Sequence, residues 1–390
     1  MENAKKKAMY RYLMVLTIAS TLGLQTWTTL FNNFASDVAG LSGAHVGIIQ
    51  SVREIPGFLT LLVVFVIRIM SEHRLSALSI LTLGAGIGMT GFSPSFSGLL
   101  VTTVIMSFGF HYYETTNQSL TLQYFDKSTS PWVFGRLRAV AAVSSIAVGL
   151  LIWTVTPWLA FKGTYLMVGA LISGAALWAF STNPTERRLT PQRKEMVFRR
   201  RYGLYYFLTF MAGARRQIFM AFAVFLLVTR FGFSVREITL LFVVNNVINY
   251  FLSPAIGRAI ILFGERKVLS LEYASLILVF LAYAWTDAKW VAGLLYILDH
   301  IFFNFSIAIR TYFQKIGAPE DIAPSMAVGF TINHIAAVVL PAVGGMLWMV
   351  DYRIPFLAGA ALSLVSLIAV QWIRTAPEPE AADGAAGAAK

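Results

Sequence analysis

The chain has 390 residues, 57% of them hydrophobic and only 13% charged, about half the charged share of an ordinary soluble domain. With a mean hydropathy of +0.67, this excludes a soluble globular fold. The net charge of +12 comes from basic residues grouped in polar stretches between apolar runs, which fits membrane orientation rather than nucleic acid, and the lack of cysteine excludes a disulfide framework and thiol chemistry.

The N-terminal stretch MENAKKKAMYRYL is basic, like the start of a secretion signal. The apolar segment behind it runs to about Phe34 without a small-residue cleavage site, so it reads as a retained first helix. Twelve apolar segments are expected to span the bilayer, at 10–34, 45–69, 75–93, 98–125, 135–156, 160–181, 203–229, 236–262, 267–286, 290–314, 322–350 and 354–374. They are too long and too evenly apolar for barrel strands.

The longest connection, STNPTERRLTPQRKEMVFRRR at 181–201, carries seven Lys or Arg. Lys5, Lys6, Lys7, Arg11, Arg74, Lys127, Arg136, Arg138, Arg266, Lys267 and Lys315 fall on the same side as this linker. Lys162, Arg230, Arg236, Lys289 and Arg353 fall on the other. Both termini and the linker are therefore expected in the cytoplasm, in a multi-pass protein of the inner membrane. The expected organisation is a six-helix bundle over 1–181, a linker over 182–202, a second six-helix bundle over 203–376, and a disordered Ala-, Glu- and Pro-rich tail over 377–390.

Three short matches relate the halves. QYFDK (123–127) matches TYFQK (311–315), SEHRLSALS (71–79) matches GERKVLSLE (264–272), and GLLIW (149–153) matches GGMLW (344–348). The near-constant offset and shared order indicate one duplication. The predicted fold class is an all-α integral membrane protein of 12 transmembrane helices in two pseudo-symmetric six-helix bundles, an architecture that binds solutes between its halves.

The stretch GRAIILFGERK (257–267) resembles the signature loop of the major facilitator superfamily, G-x-x-x-D-R-x-G-R-[KR]. Gly257 and Gly264 fit, Arg266 and Lys267 fit one residue further on, after Glu265, while Ile261 and Leu262 replace Asp and Arg. In the first-half copy Arg68 stands at the Asp position and Ser71 at the second Gly. LPAVGG (340–345) resembles the antiporter motif of that family's fifth helix, which helix 5 here lacks, and helix 4 lacks the R-x-x-Q-G motif of many proton-coupled members. The resemblance implies a cytoplasmic latch, weakened or altered here, in which Gly257, Arg258, Gly264 and Arg266 act as gating residues.

Polar residues inside apolar segments are expensive and need protein or water around them. In helix 4, Glu114 lies roughly 16 Å from the helix end at 1.5 Å per residue, and His111, Asn117 and Gln118 continue its face. Helix 10 places Asp299 level with His111 and carries Asn304 further on. Glu114, Asp299 and His111 are the candidates for proton coupling. Helix 7 carries Arg215 and Arg216, one expected to pair with Asp299 or Glu114 and the other to receive an anion. Gln25, Asn117, Gln217, Asn246, Asn304, Asn333 and His334 complete the expected substrate lining, and Arg53 with Glu54 in helix 2 is a candidate outer gate. Each has a plain packing alternative: interhelical hydrogen bonding for the polar residues, a hydrated helix-end ion pair for Arg53 and Glu54.

His111, His300 and His334 with Glu114 and Asp299 leave a transition-metal site open. No recurring spacing fixes a coordination sphere, so no metal ligand is assigned. There is no H-E-x-x-H, no G-x-S-x-G and no phosphate-binding Gly-rich loop, so neither an enzyme nor ATP drive is indicated, and no cofactor is expected. The expectation is a monomeric secondary transporter whose partners are a small organic solute, protons and the bilayer. The arginines favour an organic anion. The alternatives are efflux of amphipathic or cationic compounds, transport of a metal or metal chelate, and a sensor built on the same scaffold.

Overall fold

The computed structural model describes residues 2–41, 43–185, 190–233 and 235–374. The expected tail at 377–390 lies outside them. Twelve helices result, and among the described residues there is no strand. In the first half α1 spans Glu2–Asn33 and closes with a π turn at Phe34–Val38. Helix α2 runs over Gly43–Arg53 and Ile55–Phe58, tightens into a 3₁₀ turn at Leu59–Leu62 and resumes at Val63–Val66. Helix α3 spans Glu72–Thr90 and α4 spans Phe96–Tyr124, where Ser95 caps the start by accepting from the Gly98 amide at 3.2 Å. Helices α5 (130–159) and α6 (161–181) are continuous except at Ala160, which takes a left-handed φ of 51° three residues after Pro157. Helix α5 begins at Ser130, five residues before the expected 135, with Pro131 in its first turn, where a missing N–H costs nothing.

In the second half α7 runs Gly203–Ile218, a π turn Phe219–Ala223 and Val224–Thr229. Helix α8 spans Val235–Phe263 and α9 spans Glu265–Trp285, entered through Gly264 at φ +79°. Helix α10 runs Lys289–Phe303, a 3₁₀ turn Asn304–Ser306 and Ile307–Ile316. Helices α11 (Ile322–Val350) and α12 (Arg353–Val370) complete the set. Seven helical stretches among the described residues are long and apolar enough to cross a membrane on their own.

Each half has its own core. Tyr12, Trp27, Tyr113 and Tyr165 centre the first, and Tyr273, Phe280, Phe313 and Phe356 lie in those of the second, of which the one around Tyr273 and Phe313 also takes in Leu122 and Phe134 of the first half. The duplication reappears at the starts of α3 and α9. Glu72 accepts from Ser119 at 3.0 Å and from Gln123 at 2.6 Å, fastening α3 to α4, and Glu265 pairs with Lys315 at 2.9 Å, fastening α9 to α10.

The described polar contacts between the halves run from mid-span to the linker end. Gln314 of α10 donates to the Leu122 and Phe125 carbonyls at 2.7 Å each and accepts from Ser130 at 2.5 Å. Thr331 of α11 donates to the Phe58 carbonyl at 3.0 Å and accepts from the Leu61 amide at 2.9 Å, so the second half satisfies backbone groups at the 3₁₀ turn of α2. Helices α5 and α8 cross on two glycines. A Cβ at Gly135 would stand 2.4 Å from the Ser253 carbonyl, and one at Gly257 would stand 2.4 Å from that of Pro131. In lipid, where helices gain nothing from leaving water, such close backbone approach is a main source of association. Arg258 and Arg266 are exposed.

The linker is strapped to the turn before α11. Asp321 is fully buried and meets Arg193 and Arg199 at 2.7 Å each, Arg201 at 3.3 Å and the Tyr202 hydroxyl at 2.7 Å. Arg68, in the turn after α2, donates to the Lys194 carbonyl at 2.5 Å, so the strap also touches the first half. Burial pushes the Asp321 carboxyl up, but hydrogen bonds from Tyr202 and Arg199 outweigh it and hold it below its ordinary value.

Two expectations follow. A lowered carboxyl stabilises the fold fully above the unfolded value near pH ~3.9, and that stability is lost as pH falls through the folded value. Asp321→Asn should cost about 1–3 kcal/mol at neutral pH, with the difference from wild type shrinking in acid, as read by thermal unfolding. Gly257→Leu should part α5 from α8, so that a single cysteine placed at Ser253 reacts with a thiol reagent several-fold faster than in the Gly257 background. Equal rates would show that the crossing tolerates a side chain.

Candidate functional site between the helical halves

Three arginines and one glutamate meet between the halves. Glu114, midway along α4, is half-buried, and the cations acting on it are Arg310 of α10, Arg138 of α5 and Arg216 of α7. Arg138 donates through Nε to Asn304 Oδ1 at 2.9 Å, across the halves. Asn304 sits in the 3₁₀ turn of α10 and donates in turn to Asn249 of α8 at 2.5 Å and to the His300 carbonyl at 3.0 Å. The Arg310 guanidinium lies 5.6 Å from the Phe134 ring of α5, and that of Arg216 lies 5.6 Å from Phe303. Arg138 and Arg310 are half-buried and Arg216 is exposed. Among the described residues none of the three makes a direct ion pair with a carboxylate. Glu54 also acts on Arg216, but it is paired with Arg53 and that pair adds no net charge, so three guanidinium groups around Glu114 leave two positive charges in excess, on a face shared by both halves.

Arg215 points the other way. It is buried in the second half, bonded to Ser366 of α12, 3.8 Å from Glu272 of α9 and 4.4 Å from the centre of the Tyr273 ring. The partner expected for it, Asp299 or Glu114, is therefore corrected: its ion pair is with Glu272. Asp299 is buried within the influence of Arg215 and does not face the space between the halves as expected. Asp299 Oδ2 and Glu272 Oε2 each lack a hydrogen-bond partner. Two carboxylates and one guanidinium leave this inner cluster one negative charge in excess.

The polar stripe expected along helix 4 divides. His111 leaves Glu114 and joins His334 of α11 and Glu54 of α2. Asn117 and Gln118 are buried, and Asn117 Oδ1 has no partner. Arg53 and Glu54 do pair, at 2.5 Å, but Glu54 also lies 3.8 Å from His334, so the pair touches both halves and is no simple helix-end pair. Gln25, half-buried, donates to Thr29 one turn on at 3.2 Å; Asn246 donates to the Phe242 carbonyl of its own helix at 2.9 Å; Asn333 donates to the Thr209 carbonyl at 3.2 Å; Gln217 is half-buried.

Sequence reading passed over Arg138, Arg310 and Glu272. Arg138 looked like a loop charge because helix 5 was started at 135. From Ser130 it lies eight residues in, about 12 Å. The available signal was Pro131 preceded by Ser130, an ordinary helix start. Arg310 stands seven residues before Gly317 in an apolar run and could have been flagged as Arg215 and Arg216 were.

The sequence from residue 12 to 316 matches the family model of the major facilitator superfamily. The chain belongs to the major facilitator superfamily. Its fold is similar to that of the human organic anion transporter MFSD10 (TETRAN), with a TM-score of 0.77 at 12% identity over 94% of this chain and 99% of that one. It is similar to the major facilitator transporter FucP of E. coli in its outward conformation, with a TM-score of 0.76 at 14% identity over 94% and 98%. A bacterial homologue of the iron transporter ferroportin, outward-facing, gives 0.74 at 14% identity over 93% and 98%. No curated protein matches the sequence. At these identities the likeness shows the fold: a multi-pass membrane protein with a secondary-transporter architecture.

The two arginines of α7 should separate in a stability measurement. Arg215→Ala leaves two buried carboxylates without a cation and should cost about 3–5 kcal/mol. Arg216→Ala, at an exposed site, should change stability by less than about 1 kcal/mol. Thermal unfolding in detergent reads both, and equal losses would contradict the separation.

Proposed function

We propose that this protein is a secondary active transporter that carries a small organic anion across the inner membrane, its termini cytoplasmic, by alternating access coupled to protons. The observation that carries the reading is the excess of positive charge around Glu114, supplied by Arg138 from one half and by Arg216 and Arg310 from the other. At an effective dielectric near 20, one such charge about 4 Å from a carboxylate contributes roughly 4 kcal/mol. An anion in the cleft therefore has an attraction that no amphipathic cation would share. Because the cations come from both halves, rocking the halves changes the field at the bound solute. The described interhalf contacts run to the linker end, which in this orientation is a state closed to the cytoplasm. The chain acts as a monomer, both walls of the cleft being its own.

Proton coupling is assigned to Glu114 and Asp299, with Glu272 added. One proton on the Asp299–Glu272 pair balances Arg215, and losing it leaves a buried negative charge. The fold likeness to an organic anion transporter agrees with the substrate class.

The test is a thermal-shift screen of the purified protein against mono- and dicarboxylates, sulfonates and organic cations, followed by uptake in liposomes. An organic anion should raise the melting temperature, and Arg216→Gln and Arg310→Gln should each weaken its binding at least about tenfold, or 1.4 kcal/mol. Asp299→Asn and Glu114→Gln should abolish pH-gradient-driven uptake while the proteins still insert. Preference for cations, or unchanged binding in both arginine variants, would overturn the reading.

A further inference from the structure

Apart from the arginine cleft, a second constellation joins the halves. Glu54 of α2, His111 of α4 and His334 of α11 each offer one ligand atom, and those atoms lie within 4.8 Å of one another. Both imidazoles are buried, and their rings meet edge to face with centroids 4.9 Å apart. Each ring nitrogen has a distinct task. His111 Nδ1 lies 2.9 Å from both the carbonyl and the hydroxyl of Ser107, and His334 Nδ1 lies 2.9 Å from the Phe330 carbonyl. A carbonyl can only accept, so each ring carries a proton on Nδ1, and the neutral ring presents its lone pair on Nε2. Metal-ligating histidines are oriented in this way by outer-shell acceptors. Glu54 is held likewise: Oε1 takes the Arg53 guanidinium at 2.5 Å, while Oε2 stays directed at His334 Nε2, 3.8 Å away.

Gly57 lets both imidazoles pack directly against the backbone of α2. A Cβ there would stand 2.4 Å from His334 Cδ2, 2.7 Å from its Nε2 and 2.9 Å from His111 Cδ2. Tetrahedral bonds of about 2.1 Å hold ligand atoms roughly 3.4 Å apart, so gathering these atoms takes side-chain movements of about 1 Å.

We propose that Glu54, His111 and His334 form a binding site for one divalent transition-metal ion held between the two halves. Imidazole ligation selects borderline ions such as Zn²⁺ and Co²⁺. Hard ions such as Mg²⁺ and Ca²⁺ need several oxygen ligands, and the single carboxylate here is shared with Arg53, with the positive charge of Arg216 also acting on it. The same two arginines weaken any cation, so the site depends on its nitrogen ligands. Since the ligands come from α2 and α4 on one side and α11 on the other, parting the halves must strip the ion of at least one ligand. The site uses none of the groups of the anion cleft, so it stands or falls separately from that reading.

The test uses the full chain, purified on a tag without histidine, stripped with a chelator and titrated with each metal alone. Lack of cysteine removes thiol competition. Zn²⁺ and Co²⁺ should bind at one ion per chain, at least a hundredfold more tightly than Mg²⁺ or Ca²⁺, and His111→Ala and His334→Ala should each weaken Zn²⁺ at least tenfold. Electron spin echo modulation of bound Cu²⁺ needs no variant, and should count two imidazoles. No stoichiometric ion, fewer than two imidazoles, or Zn²⁺ affinity retained in both histidine variants overturns the site.

Discussion

A guanidinium keeps its proton at any accessible pH, and in hydrocarbon an unpaired one is unstable. Arg138, Arg216 and Arg310 all act electrostatically on a single carboxylate, Glu114, on the face where the halves meet. That face therefore cannot close as a dry, apolar helix interface. It must admit water or an anion, and the exposure of Arg216 and the partial exposure of the other three show the first condition met. The separation of the molecule into two bundles, each with its own core, follows from keeping this charge wet.

The same rule sorts the remaining charges. Arg215 and Arg216 are consecutive, so they leave α7 about 100° apart. One reaches the dry interior of the second half, where Glu272, Ser366 and the Tyr273 ring receive it; the other reaches the cleft. Asp299 and Glu272 outnumber Arg215, whereas Glu114 is outnumbered by its arginines. An inner cluster short of positive charge and an outer cluster with too much of it stand on two different faces of α7, and a shift of that helix would change both fields at once. The π turn at Phe219–Ala223, immediately after these arginines, is the kind of helix irregularity often found at functional sites.

Closure at the linker end relies on contacts that can be broken and remade. Gln314 binds backbone carbonyls, Thr331 binds the 3₁₀ turn of α2, and Gly135 and Gly257 let α5 and α8 touch through backbone. Beside them, Leu122 and Phe134 of the first half join a hydrophobic cluster of the second that includes Ile256 and Ile260. The only hydrophobic cluster that joins α2 and α11 is small among the described residues, built on Val63, Val64, Ala323 and Ala327. The Asp321 strap and the Arg68–Lys194 contact lie beyond them, where the linker reaches both halves.

The sequence by itself determined the helix number, the twofold repeat and the family, because a bilayer demands long apolar runs and a duplication leaves matching loops. It also marked Glu114, His111, Asp299, Arg215, Arg216 and His334 as residues with a cost to justify. Which of these share a site was settled only by the tertiary structure. His111 and Glu114, one helical turn apart on a single stripe, belong to different clusters, because α2 and α11 pack against α4 and bring Glu54 and His334 to His111, while the arginines that act on Glu114 come from α5, α7 and α10. Glu272, Arg138 and Arg310 became legible only once helix starts and crossings were known, since partners on other helices leave no local pattern. Helix period says which residues look outward from a helix; packing alone says what they look at.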